Sequence, residues 1–200
     1  RETMETVTDR IMGNERRTVE GVLSPGAALG LVSYLGGPVR SQLIDEHGSL
    51  PREVGFGFGH THKPYVGRVA VEGYPRTVPV INSGGWVVDT VKTAPLHGAA
   101  AILVDEEANA VLLEFYRQHD DPKAYAVEVR ESQLGRSAEF AARVRQTIAA
   151  DPGPWDRFSE VVARTVAERH ADLQEIIEAA VLRPGRALGY GSDEQPILAR

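Results

Sequence analysis

Residues 54–89 read VGFGFGHTHKPYVGRVAVEGYPRTVPVINSGGWVVD, and this stretch decides how the chain is understood. Apolar residues alternate with small or polar ones, and Val, Phe and Gly recur throughout. That pattern predicts short strands joined by tight turns. Further along, residues 99–104, 110–116 and 124–129 supply three more candidate strands. The first two of these are joined by Asp105-Glu106-Glu107-Ala108-Asn109, a plausible hairpin connection. Segments 54–58, 80–81, 87–88, 101–104 and 110–116 are expected to pair in one largely antiparallel sheet.

On either side of this centre the period changes. In residues 1–22, Met4, Val7, Ile11 and Met12 fall at helical spacing until Gly13-Asn14 interrupts them. The Ser24-Pro25-Gly26 turn leads into AALGLVSYL, which Gly36-Gly37-Pro38 closes; this piece reads as a buried helix or a short strand pair. Asp45-Glu46-His47-Gly48 reads as a solvated loop. From Ser137 the apolar residues Phe140, Val144 and Ile148 mark a short helix, ended by Asp151-Pro152-Gly153-Pro154. One long amphipathic helix is expected from about residue 154 to 182, its Phe158, Val162, Leu173 and Ile177 side buried. Arg183-Pro184-Gly185 stops it, and the tail to Arg200 reads as loose. The stripe over 155–181 also offers a possible seam for a homo-oligomer.

The 200 residues are 42% hydrophobic and 25% charged, an ordinary globular composition with room for one sizeable core. Basic residues number 22 and acidic ones 28, a net charge of −6. The excess is even, with −2 in each of residues 1–50, 51–130 and 131–200. No basic patch exists to neutralise a run of phosphates, so nucleic acid is a poor main partner. Cysteine is absent, which excludes disulfides, thiolate metal ligands and cysteine nucleophiles together. No apolar run reaches the ~18 residues of a membrane span, and no signal-peptide pattern is present. A cytoplasmic location is expected.

The chemistry lies in Gly57-Phe58-Gly59-His60-Thr61-His62-Lys63-Pro64. On an extended backbone, histidines at i and i+2 share one side, about 6–7 Å apart. Neutral imidazole is the commonest protein ligand for Zn, Mn and Fe. Gly57 and Gly59 permit a sharp turn at the strand end, and Pro64 stiffens the exit. The expectation is a rigid loop aiming two rings into a common open groove. For an isolated His-x-His pair the favoured reading is two surface or hydrogen-bonded histidines, so the weight falls on its neighbours along the chain. His97, His119 and His170 are scattered without ligand spacing and read as surface or core-edge residues.

GHTHKP at 59–64, succeeded by INSGGWVVD at 81–89 and an apolar hairpin at 96–116, resembles the C-terminal signature of the calcineurin-like metallophosphoesterases. The resemblance covers roughly residues 50–118. It implies an α/β (α+β) fold, with residues 1–130 forming the C-terminal part of a two-sheet sandwich, 131–182 a helical extension and 183–200 a tail. It implies two divalent ions (Mn, Fe or Zn), with His60 and His62 each a ligand to a different one. It places Asn82 at a turn near the site, as a brace or an outer support of the ligands. The substrate class is a small phosphorylated compound, a phosphomonoester or phosphodiester, hydrolysed between the two ions.

The family draws its remaining ligands from upstream Asp-x-His, Gly-Asp and Gly-Asn-His-Glu/Asp motifs, and these are read as absent. Met12-Gly13-Asn14-Glu15 lacks the histidine, and His47 is assigned to a loop. The chain therefore reads as part of a longer enzyme, inactive alone for want of a bridging carboxylate. An amidohydrolase barrel would need ~250 residues, more than remain after His62. A Nudix site would need a Glu-rich helix that is missing after Glu131. A non-catalytic binding or assembly module that keeps the same loop is the alternative.

Overall fold

The structure is a computed structural model and describes residues 21–59 and 61–182. The helical reading of residues 1–12, the tail after 182 and His60 lie outside the described residues. Elements in chain order are α1 (Pro25–Tyr34), a π-helical turn (Leu35–Val39), α2 (Arg40–His47), β1 (Phe56–Phe58), β2 (Tyr65–Val69) and β3 (Val78–Asn82). Then come β4 (Gly98–Val104), β5 (Ala110–Arg117), a 3-10 turn (Pro122–Ala124), β6 (Glu128–Glu131), α3 (Ser137–Ala150) and α4 (Gly153–Leu182). The class is α+β, with two small sheets and flanking helices.

The helix at 25–34 starts where its sequence says it should. Ser24 is the N-cap, its hydroxyl accepting from Ala27 N at 3.1 Å, and Pro25 takes the first turn, where its missing N–H costs nothing. Gly36-Gly37-Pro38 does not end it. A proline inside an α-helix collides with the carbonyl four residues back. Here one widened π turn absorbs Pro38, and the helix runs on to His47. Arg40 N–H reaches Leu35 O across the wide turn, and the Tyr74 hydroxyl donates to the same carbonyl at 2.9 Å. Leu35 is fully buried against Val71 and Val78, with Leu31, Val39 and Phe56 around them. The expected loop at 45–48 is thus the last helical turn, closed by Gly48 at φ 75°.

The single antiparallel sheet expected from sequence is in fact two sheets of three strands. In the first, β3 lies between β1, which it pairs in parallel, and β2, which it pairs antiparallel. All five β3 residues are buried. Pro79 is tolerated in this central strand because pairing with β1 begins one residue later, at Phe56 opposite Val80. The second sheet is an antiparallel meander, β4–β5–β6, bulged between Ala99 and Ala100. Residues 87–88 form no strand, and the expected strand at 124–129 begins only at Glu128. Asp121 caps the 3-10 turn ahead of it, accepting from Lys123 N at 2.9 Å.

The two sheets meet at Ser83 and Gly84. Ser83 N donates to Phe58 O at 2.9 Å, Ala100 N donates to Ser83 O at 2.8 Å, and Gly84 bridges Ala99. Ile81 from one sheet packs with Ala100, Ala110 and Leu112 from the other. On the far face of the second sheet, α3 buries Ala141 against Val111, Leu113 and Val129. The first half of α4 sets Ala163 and Val166 on Ala99, Tyr116 and Tyr125. Its second half is less covered: Ile176 and Ile177 are 59% and 49% exposed, so on the side expected to be buried Phe158, Val162 and Leu173 are half-buried and Ile177 is exposed. No helix among the described residues is long and apolar enough to cross a membrane.

The hairpin between β4 and β5 is closed by Asp105, whose carboxylate accepts from Asn109 N, Asn109 Nδ2 and Glu107 N and contacts Arg143 at 2.7 Å. The Asn109 side chain foremost, then those backbone N–H groups and Arg143, hold its carboxyl below the usual carboxylate value against a smaller desolvation effect. Because the folded state prefers the charged form, Asp105 stabilises above the unfolded carboxylate pKa. That contribution is lost as pH falls through the folded value. Asp105→Asn should lower the thermal midpoint at pH 7, and the gap from wild type should close as the carboxylate range is crossed downward. Leu112→Ala, at a fully buried site, should cost about 2–5 kcal/mol in a urea titration.

Candidate functional site

The loop from β1 to β2 carries Thr61, His62, Lys63 and Pro64, and each of these four is anchored. His62 sits at φ 61°, in left-handed rather than extended backbone, so the simple picture of two rings side by side on a strand does not apply. Its side chain is buried and not set in an open groove. His60, its expected partner, lies outside the described residues.

Asn82, at the end of β3 and fully buried, ties the loop to the turn after it. Its Nδ2 donates to Thr61 Oγ1, and its Oδ1 accepts from Gly84 N at 2.8 Å. Gly84 has φ 70°, and a Cβ there would stand 2.5 Å from Gly98 O and 2.7 Å from Pro64 Cδ, so only glycine fits. At Gly85 a Cβ would collide with His62 Cδ2. Gly85 thus leaves a bare backbone cradle against the imidazole, while Gly84 gives the same room to Gly98 O and Pro64. The His62 carbonyl accepts from Gly98 N at 2.8 Å, which fixes the loop to the start of β4.

One buried and one half-buried charge brace the exit. Lys63 is completely buried and its Nζ donates to Gly21 O at 3.0 Å. Arg117 donates to Pro64 O at 2.6 Å while its guanidinium grips buried Glu114 at 2.7 and 2.9 Å. Arg130 takes the other side of the same carboxylate at 3.1 Å. Buried charge is tolerable only when paired in this way.

Around His62 the fold assembles Asp89, to which the sequence reading gives no role, and His97, which that reading places at the surface or core edge and the structure buries. Asp89 Oδ2 lies 3.2 Å from His62 Nδ1, and Asp89 Oδ1 lies 3.8 Å from His97 Nδ1. The two rings are 6.3 Å apart and nearly perpendicular. His97 is buried, and its backbone is pinned by Gln118 N to His97 O and by His97 N to Ala94 O, both 2.8 Å. Beneath Asp89, burial first, then Tyr125 and the Asp89 charge, push the Tyr116 hydroxyl up to about 12. His97 has no ligand spacing to His62 along the chain; only the approach of β4 to the loop joins them. His119 stays outside the cluster, its Nδ1 accepting from Asp121 N at 2.9 Å.

Asp45 and His47 do carry Asp-x-His spacing, contrary to the reading that this motif is absent. They stand exposed on the last turn of α2, not at a strand end. Among the described residues, no group of three or more His, Asp or Glu side chains could hold a metal ion. Comparison of the chain with protein-family models, with curated proteins and with solved structures returned no match.

Replacing Asn82 by Ala should strip the loop of both side-chain ties and leave Gly84 N without its acceptor. A loss of about 1–3 kcal/mol is expected from chemical denaturation, with retained far-UV circular dichroism.

Proposed function

We propose that residues 54–116 supply the histidine side of a dinuclear metallophosphoesterase site, as the C-terminal part of a calcineurin-like two-sheet sandwich, with His60 and His62 as ligands. The observation that carries this reading is the cradle that the bare backbone of Gly85 leaves against the His62 ring. It admits the His62 imidazole and no further side-chain atom, in the order along the chain in which GHTHKP and INSGGWVVD resemble that family. The donor chemistry fits as well: an imidazole held rigidly beside a carboxylate suits Mn, Fe or Zn.

Bound divalent ions would polarise phosphoryl oxygens and lower the pKa of a bound water. The chain's own contribution is placement. Asn82 and Gly84 hold the loop, Arg117 holds its exit, and the cradle fixes the His62 ring before any ligand arrives. Two adjacent cations repel each other unless carboxylates bridge them, and among the described residues no such group of carboxylates stands at His62. They would come from elsewhere in a complete enzyme acting on a small phosphomonoester or phosphodiester.

A second reading, a module for assembly without turnover, is favoured by a different observation: the apolar residues Val161, Ile176 and Ile177 stand exposed on α4. A homo-oligomer through residues 155–181 belongs to that reading. Titration with Mn2+ or Zn2+ separates the two. The 200-residue chain should bind one ion weakly, lose it in His60→Ala and in His62→Ala, and hydrolyse a chromogenic phosphodiester at background rate. Binding indifferent to both histidines would refute the metal reading and leave the assembly one.

A further inference from the structure

We infer that the cleft at the far end of the first sheet from the His62 loop binds a small phosphate monoester, held by Arg68 with Arg52 and Arg76 beside it. The inference stands apart from the metal reading and needs nothing from it. β1 and β3 run in parallel toward the loop and Asn82, so the residues that precede these two strands gather at the other end. There Arg52 and Glu53 come from the segment ahead of β1, Arg68 from β2 and Arg76 from the connection into β3. Together they line a cleft of about 220 Å³, with Gln133 and Leu134 from the turn ahead of α3 as another wall. That volume lies below the ~300–1,000 Å³ of pockets that take drug-sized molecules, so its occupant is small.

The charges of the lining select the charge of the ligand. On a chain of net charge −6, this cleft gathers three arginines and one glutamate, a local excess of positive charge that the even distribution along the sequence conceals. Arg68 is oriented in advance by neutral partners. Its Nε donates to Thr77 Oγ1 at 2.8 Å and its Nη1 to Gln133 Oε1 at 3.1 Å. Gln133 is fixed in its turn: its N–H donates to Ser137 Oγ at 3.0 Å, and Arg136 N–H ties the same turn to Asn109 Oδ1 at 2.6 Å. Among the described residues, the ion pair of this lining joins Arg76 to Glu53 at 3.2 Å, both side chains more than half exposed, and Arg68 and Arg52 have no carboxylate. A pair so exposed contributes little, so Arg76 can exchange Glu53 for a dianion. A guanidinium whose direction is already set, and whose charge no acid meets, loses little freedom when an anion arrives. Guanidinium groups from three separate segments suit the several oxygens of a tetrahedral phosphate better than a planar carboxylate, which one fork satisfies. Tyr74, its hydroxyl committed to Leu35 O, and Leu134 offer apolar surface to the organic part of the ester.

Phenyl phosphate, titrated at about pH 8 where it carries two charges, tests this on the 15N-labelled, metal-free 200-residue chain. NMR shifts should saturate together at residues 52–54, 68, 76–77 and 133–135, and added KCl should weaken the binding. Arg68→Gln should weaken it about tenfold or more. Glu53→Gln, at a 59% exposed side chain whose loss leaves the fold intact, should tighten it several-fold by removing the competing acid. Should Arg68→Gln fail to fold, the Glu53→Gln arm decides alone. His62→Ala should leave the affinity unchanged, which keeps this test separate from that of the metal reading. Affinity unaltered in either cleft variant overturns the inference, as does binding weaker than about 1 mM in wild type. Shifts centred on residues 61–64, or binding lost in His62→Ala, also overturn it, because the ester would then sit at the histidine loop. Succinate binding as tightly as phenyl phosphate overturns the assignment to a phosphate.

Discussion

Ser83 is the point on which the two sheets turn. Its N–H donates to the end of β1 and its carbonyl accepts from the second sheet at Ala100, so this residue bonds to both sheets at once, and the Gly84–Ala99 bridge continues the junction. Everything near the candidate site is placed by that junction. The next turn must bend back at once to let Gly98 reach both the His62 carbonyl and Gly85 N–H. That requires the left-handed backbone and the absent Cβ of Gly84. Asn82, just before the junction, then uses its one amide to hold the turn on one side and Thr61 on the other. The described residues 61–64 of this loop are thus held by the fold itself.

The charged residues around it reinforce the same point. Glu114 is buried between Arg117 and Arg130, and only one of these arginines serves the sheet alone. The other extends to Pro64 O, so the exit of the GHTHKP loop is fastened to β5 through a pair whose desolvation is already offset by mutual attraction. Losing Arg117 would release the exit of the loop and leave buried Glu114 with Arg130 as its remaining arginine.

Much of the fold could be read from the sequence where a local rule decides the outcome. Alternation and the Asp105–Asn109 connector fix β4 and β5, and the apolar period with Pro154 near its start fixes α4. Elsewhere the local rule was overruled. Gly36-Gly37-Pro38 looks like a stop, yet burial of Leu35 on Val71 and Val78 holds the helix together through a wide turn. Residues 87–88 have β-branched side chains but no neighbouring strand to pair with. For the site, GHTHKP is legible because its residues are contiguous. Asp89 and His97 are not, since they reach His62 only through the return of β4, and tertiary contacts of that type leave no spacing in the chain. The positive φ of His62 lies in a region where histidine is enriched among the non-glycine residues, yet the His-x-His spacing gives no sign of it.

The wide turn at Leu35–Val39 has a geometric meaning of its own. Leu31, Leu35 and Val39 recur every four residues, and a plain α-helix overshoots a four-residue repeat by about 40° each time, so the third would rotate off the shared face. A turn holding more residues lags behind instead of overshooting, and the two errors cancel. That cancellation keeps Leu31, Leu35 and Val39 all on the Val71–Val78 cluster, as a stutter resets the seam of a coiled coil. The phase of α2 therefore depends on a single inserted residue. Taking out Gly37 would shorten the helix by very little, yet it would turn Arg40 away from Gly73, where its guanidinium now lies against bare backbone.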